Sequence, residues 1–196
     1  ARVFGDTVEG TGEETGLDLA SKKGDFVVTV NPQDVGDAEV RIVVEAKSAS
    51  LTVPQLLNEL DQGRQNRMAL EAIIVFDARK APAQVGALRH YPGRGIACSV
   101  DPDSMEMLPL EVAYKLARIN ALLEARALQF GDVKLDTVRL AELMQQATTS
   151  VRRFSQIRSS LTKASNNLSE IADAVSDAQE DTQRALVLLA ATTGCA

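Results

Sequence analysis

The chain has 196 residues, 45% of them hydrophobic and 24% charged, with a formal net charge of −6. That length buries one substantial core and is marginal for two, so one globular domain with an appendage is expected. Acids outnumber bases in both halves, 14 to 11 over residues 1–100 and 13 to 10 over 101–196, which excludes a basic domain that would grip duplex through many phosphate contacts. An acidic pocket holding a divalent cation, flanked by local basic strips, stays compatible with a nucleic-acid substrate.

Cys98 and Cys195 make no disulfide framework, which fits a reducing, cytoplasmic setting. The apolar run at 185–192 is too short to span a bilayer, no leader pattern opens the chain, and a start at Ala1 without Met suggests a fragment.

In chain order, residues 1–24 are rich in Gly, Glu, Thr and Lys and read as short strand pieces and turns. Phe26-Val27-Val28-Thr29-Val30 is a β-branched strand stopped by Asn31-Pro32. Arg41 to Lys47 is a second strand, at a separation that suits a hairpin with a loop. Thr52-Val53-Pro54-Gln55 has the makings of a capping box, and the helix it opens should run to about Leu70. Leu56, Leu57, Leu60 and Met68 should form its apolar face, leaving Gln62, Arg64, Gln65 and Asn66 polar.

Ala72-Ile73-Ile74-Val75-Phe76 has almost no polar interruption and belongs at the centre of a sheet covered on both faces. After a loop containing Pro82, His90 and Pro92, residues 95–100 form a further strand, with Cys98 buried in it. From Leu108 the pattern becomes helical, breaks at Gly131-Asp132 and resumes at about Leu135. Phe154, Ile157, Leu161, Ala164, Leu168, Ile171, Val175 and Ala178 follow heptad spacing. That stripe fits either an intramolecular hairpin with the 108–130 helix or a seam between copies in a homo-oligomer. With basic residues from Arg152 to Lys163 and acids from Glu170 to Asp181, antiparallel pairing matches opposite charges and parallel pairing does not.

The chemistry-bearing residues gather near the hairpin. Asp25 opens one strand and Glu45-Ala46-Lys47 closes the next, with Glu45 and Lys47 on one face by the period of two. Converging carboxylates repel unless a cation bridges them, and a hard ion such as Mg²⁺ or Mn²⁺ suits oxygen donors. Phosphodiester hydrolysis needs such a Lewis acid and a positioned water. Lys47 suits either orienting or deprotonating that water, or stabilising charge in the transition state.

Gly24-Asp25 before a strand, Glu45-Ala46-Lys47 ending the next, then a helix and Ile73-Ile74-Val75-Phe76, resembles the PD-(D/E)XK, restriction-endonuclease-like nucleases over about residues 1–100. The resemblance implies an α/β fold with an αβββαβ core, a mixed sheet flanked by helices. It implies a metal-dependent nuclease acting on DNA, with Asp25, Glu45 and the Ala46 carbonyl as ligands and Lys47 as base or stabiliser. A polar residue on the following helix, Gln62 ahead of Gln65 or Asn66, would complete the site. Gly24 stands where the motif has Pro, and the family's first acid-bearing helix has no clear counterpart beyond Glu9, Glu13 or Glu14.

The expected division is a nuclease-like core at 1–105 and a helical, coiled-coil-like extension at 106–196. The competing reading is a non-catalytic binding or scaffold module of the same fold, with Glu45 and Lys47 as an ordinary surface pair. Two basic strips, Arg79, Lys80, Arg89 and Arg94, then Arg152, Arg153, Arg158 and Lys163, read as solvated surface or phosphate contacts. His90 is the only histidine and lacks a zinc-site neighbour, and Gly5 to Gly12 lacks a phosphate-cradle lysine.

Overall fold

The computed structural model describes residues 1–18, 21–36, 38–103, 107–130 and 137–193. The break expected at Gly131-Asp132 and the second cysteine, Cys195, lie outside the described residues. The chain divides into two compact units, Ala1–Arg152 and Arg153–Ala196.

The first unit is α/β. After a single 3₁₀ turn at Arg2–Phe4 come β1 (Thr7–Gly10), β2 (Phe26–Thr29), the short α1 (Pro32–Val35), β3 (Arg41–Lys47), α2 (Val53–Arg67), β4 (Glu71–Asp77), β5 (Leu88–Tyr91), β6 (Gly95–Val100) and α3 (Leu108–Phe130). The last helix, α4 (Thr137–Thr193), begins in this unit and continues into the second. One six-stranded mixed sheet has the order β1-β2-β3-β4-β6-β5. β1, β2 and β3 are antiparallel, β3, β4 and β6 run parallel, and β5 returns antiparallel along the edge. The parallel β3-to-β4 connection is made by α2, the helical crossover such a pairing requires.

Local chemistry accounts for the bounds of α2. Thr52 and Gln55 form the expected capping box. The helix ends at Arg67, before Leu70, because Met68 turns left-handed at φ 50° and donates its N–H to Arg64 and Gln65 carbonyls. The backbone N–H of Leu70 already bonds the Arg41 carbonyl, so the following residues are committed to the sheet.

Alternation along the strands divides the core in two. Val28, Ile42, Ile73, Leu88, Ile96 and Cys98 face Ala113, Leu116, Ala117 and Ala121 of α3, with Met144 and Val151 of α4. Val43, Ala72, Ile74, Phe76 and Ala97 face Leu56 and Leu60 of α2. β4 is central and covered on both faces, as its apolar run requires.

α3 and the first turns of α4 bury one face of the sheet and so belong with it in the first unit. Two expectations are corrected. His90 lies in edge strand β5, opposite Ile96, where a loop was expected; cross-strand pairing overrides its polar, proline-flanked composition. Met68 is 58% exposed, and the inward stripe of α2 instead includes Gly63, Asn66 and Arg67. Along the 154–178 stripe, Phe154, Ile157, Leu161, Leu168, Ile171 and Val175 are all exposed. Among the described residues no helix is long and apolar enough to cross a membrane.

Candidate active site

β2 and β3 pair antiparallel, with Phe26 opposite Val44 and Val27 opposite Val43. Asp25 immediately precedes Phe26 and Glu45 immediately follows Val44, so both acids reach the same end of the hairpin. Val43 packs under α2, and the period of two puts Asp25, Glu45 and Lys47 on that same face.

The two strands are laced by their carboxylates. Ala46 donates its backbone N–H to Asp25 Oδ2 at 2.7 Å, and Gly24 donates its own to Glu45 Oε2 at 2.5 Å. Lys47 Nζ donates to Glu45 Oε1 at 2.7 Å and lies 2.9 Å from Glu59 Oε2. Lys23 Nζ donates to the other oxygen of Glu59 at 2.5 Å and also bonds Gln62 Oε1. Three carboxylates against two ammonium groups leave this cluster one negative charge.

Burial alone would drive Lys47 toward its neutral form, but the hydrogen bonds and charges of Glu45 and Glu59 outweigh it and hold its pKa above the ordinary lysine value. Burial likewise opposes ionisation of Glu59, and Lys23 and Lys47 outweigh it, keeping its carboxyl below the usual range. Lys47 is therefore an ammonium throughout the neutral range, which favours orienting and charge-stabilising roles over that of a base.

Glu59 and Lys23 were not among the residues read as functional. The signal for Glu59 was present: it sits three residues after Leu56 and beside Leu60, on the stripe of α2 that packs on the sheet. Of the polar residues expected on α2, Gln62 meets the cluster only through Lys23. Asn66 is buried as a structural tie, bonding the backbone of Asp18, Ser21 and Lys23.

Arg67 fastens the loop that delivers Asp25. Its Nε donates to the Lys23 carbonyl at 2.9 Å, and its Nη2 reaches carbonyls of Thr11 at 2.6 Å, Glu14 at 2.8 Å and Gly24 at 3.1 Å. Gly24 has φ 95°, and a Cβ there would stand 2.7 Å from both Arg67 Cγ and Val43 Cγ2. Glycine is thus required where the motif has Pro.

The donor chemistry fits a hard divalent cation in part. Asp25 gives one oxygen to a backbone N–H, and Glu45 gives one to a backbone N–H and the other to Lys47; a carboxylate has about four lone-pair sites, so both keep acceptor capacity. Among the described residues no three of His, Cys, Asp and Glu gather as a metal-holding group. A cation would rest on two carboxylates, with backbone, water or substrate oxygens completing its shell, the manner in which Mg²⁺ is commonly held.

The basic strips have other engagements. Arg79 pairs with Asp77 and Asp103, and Arg94 pairs with Asp61. Arg89 and Arg152, one from each strip, line a cleft of about 680 Å³ with Arg64, His90, Glu71 and Asn120. That cleft includes the first residue of β4, whereas Glu45 and Lys47 lie beside its later residues Ile74 and Phe76. Burial pushes the His90 pKa down and the Glu71 pKa up.

Comparison of the chain with protein-family models, with curated proteins and with solved structures finds no match.

Proposed function

We propose that the chain is a metal-dependent nuclease of the restriction-endonuclease-like kind, hydrolysing DNA phosphodiester bonds at the laced end of β2 and β3. The observation that carries this reading is the meeting of Asp25, Glu45 and Lys47 on one sheet face, joined by reciprocal bonds between the two strands. The order β1-β2-α1-β3-α2-β4 supports it, containing the βββαβ portion of the core implied by the motif with the short α1 set between its second and third strands.

Asp25 and Glu45 would hold Mg²⁺ or Mn²⁺, with the Ala46 carbonyl as the third protein ligand that the resemblance implies. When bound, the ion supplies Lewis-acid stabilisation of the phosphate and a more acidic water. Lys47 presents its ammonium to the developing phosphate charge and orients the attacking water. Glu59 positions Lys47 from α2 and keeps it protonated. Lys23 and Gln62 brace Glu59 from the far side.

The test is Mn²⁺- or Mg²⁺-dependent cleavage of linear, nicked and single-stranded DNA by the purified chain. Asp25→Ala should abolish product, and Lys47→Ala should slow it at least about 100-fold, the scale of losing one preorganised charge stabiliser. No product from the unaltered chain at any cation concentration would overturn the reading.

One observation favours a second reading. Both Glu45 oxygens and the Lys47 ammonium are already satisfied by protein partners, as in a non-catalytic module that keeps the fold for binding or scaffolding. That reading expects DNA retention without cleavage, unchanged by Glu45→Gln.

A further inference from the structure

The second unit is formed by the later part of α4, and its large apolar residues from Phe154 to Val175 are exposed. Phe154, Ile157, Leu161, Leu168, Ile171 and Val175 are between 50% and 69% exposed. An uninterrupted helix with a stripe of large hydrophobic side chains in water gains nothing from tertiary packing, which is where most helical stability in proteins arises.

With Phe154 at position a, the heptads put Leu161, Leu168 and Val175 at a and Ile157, Ala164, Ile171 and Ala178 at d. When two such helices run antiparallel, each a side chain packs level with a d side chain of its partner. Turning one copy about a two-fold axis at Asn166 sets Phe154 level with Ala178, Ile157 with Val175, Leu161 with Ile171 and Ala164 with Leu168. Every a meets a d, and the largest residue of the stripe meets a small one.

The same operation lays the basic segment containing Arg152, Arg153, Arg158 and Lys163 along the acidic segment containing Glu170, Asp173, Asp177, Glu180 and Asp181. Arg153 and Asp181 fall on the flank of the seam. A parallel pair would instead set base against base and acid against acid, which costs specificity and affinity.

We propose that α4 is the dimerisation element of this protein and that its occupant is a second copy of the chain, paired antiparallel over residues 154–178 about a two-fold axis at Asn166. The seam is roughly 37 Å long at 1.5 Å per residue. It is isologous, so it closes at two chains and forms no filament. It stands independently of the nuclease reading.

Light scattering of the 196-residue chain should give twice the 21.0 kDa chain mass. Leu161→Glu combined with Leu168→Glu should return it to one chain with the sheet-containing unit's unfolding transition retained. Orientation is read from a nitroxide on Gln156→Cys in a Cys195→Ser background, since Cys98 is buried. The two labels of an antiparallel dimer stand about 30 Å apart along the axis, whereas a parallel pair holds them near the interhelical spacing of about 10 Å. A monomer at all concentrations, a mass above two chains, an unaltered mass in the double variant or the short label distance would each overturn the proposal.

Discussion

Two clusters of charge hold the first unit together, and they differ in what surrounds them. At the N-terminus, Asp6 is wholly buried and receives Arg118 Nε at 2.8 Å, the Asn31 N–H at 2.8 Å and the Tyr114 hydroxyl. Arg118 is 9% exposed, pairs onward with Asp34 at 2.5 Å, and lies over the Phe4 ring. At the hairpin end, Glu45, Glu59 and Lys47 are 12%, 18% and 24% exposed, and Asp25 reaches them through backbone bonds. In the first cluster the Asp6–Arg118 pair is closed off beside the Phe4 and Tyr114 rings and ties the N-terminus to α3, with Asp34 at its exposed rim. The second has equally short bonds but stays accessible, so its partners can be exchanged for an incoming ion or phosphate. Accessibility, more than bond length, separates a structural knot from a candidate site.

The comparison breaks most sharply at Arg118. Arg118→Ala leaves Asp6 as a buried, uncompensated carboxylate and should cost about 3–5 kcal/mol in urea unfolding. A loss below about 1 kcal/mol would show that the N-terminal knot is not sealed in solution.

Gly24→Ala should have a smaller effect, about 1–3 kcal/mol, because it forces a left-handed, sterically closed position to accept a side chain. It should also displace the Gly24 N–H from Glu45, so cleavage should fall further than stability explains. Unfolding and cleavage rates measured on the same preparation check both parts.

The smallest effect is a slope. Glu71 is a buried acid bonded to Asn120 at 2.8 Å and to the Ala72 N–H, and burial raises its pKa above 4.5. The folded chain therefore takes up this proton before the unfolded chain does. Its contribution is fully present below the unfolded value and is lost as pH rises through the raised folded value. Asp6 acts in the opposite sense, since its lowered pKa gives stability above 3.8 that is lost as pH falls. Glu71→Gln should flatten the pH dependence of unfolding above pH 4.5, whereas an unchanged slope would remove Glu71 as its source.

Much of this was legible in the sequence where the signal is local. The bounds of β3 and β6, the capping box of α2, and the placement of Asp25 and Glu45 on one hairpin follow from β-branched runs, a Thr-Gln spacing and the period of two. Contacts across elements were not legible. Lys23 meets Glu59 from 36 residues away, and Arg67 holds carbonyls of a loop with no periodicity of its own. β5 was missed because an edge strand can carry Arg89, His90 and Tyr91 when the ladder to β6 supplies its order. Asn66 reads as solvent-facing by composition, but the backbone of Leu17, Asp18, Ser21 and Lys23 closes over it.

The proposed site requires Asp25 and Glu45 together to hold a divalent cation beside a protonated Lys47. Calorimetric titration with Mn²⁺ measures this most directly, on the unaltered chain and on Asp25→Asn combined with Glu45→Gln, substitutions that preserve size while removing both charges. The account predicts one saturable site in the unaltered chain and its loss in the double variant, with the unfolding midpoint little changed. Equal Mn²⁺ binding by both proteins, or none by either, would contradict it.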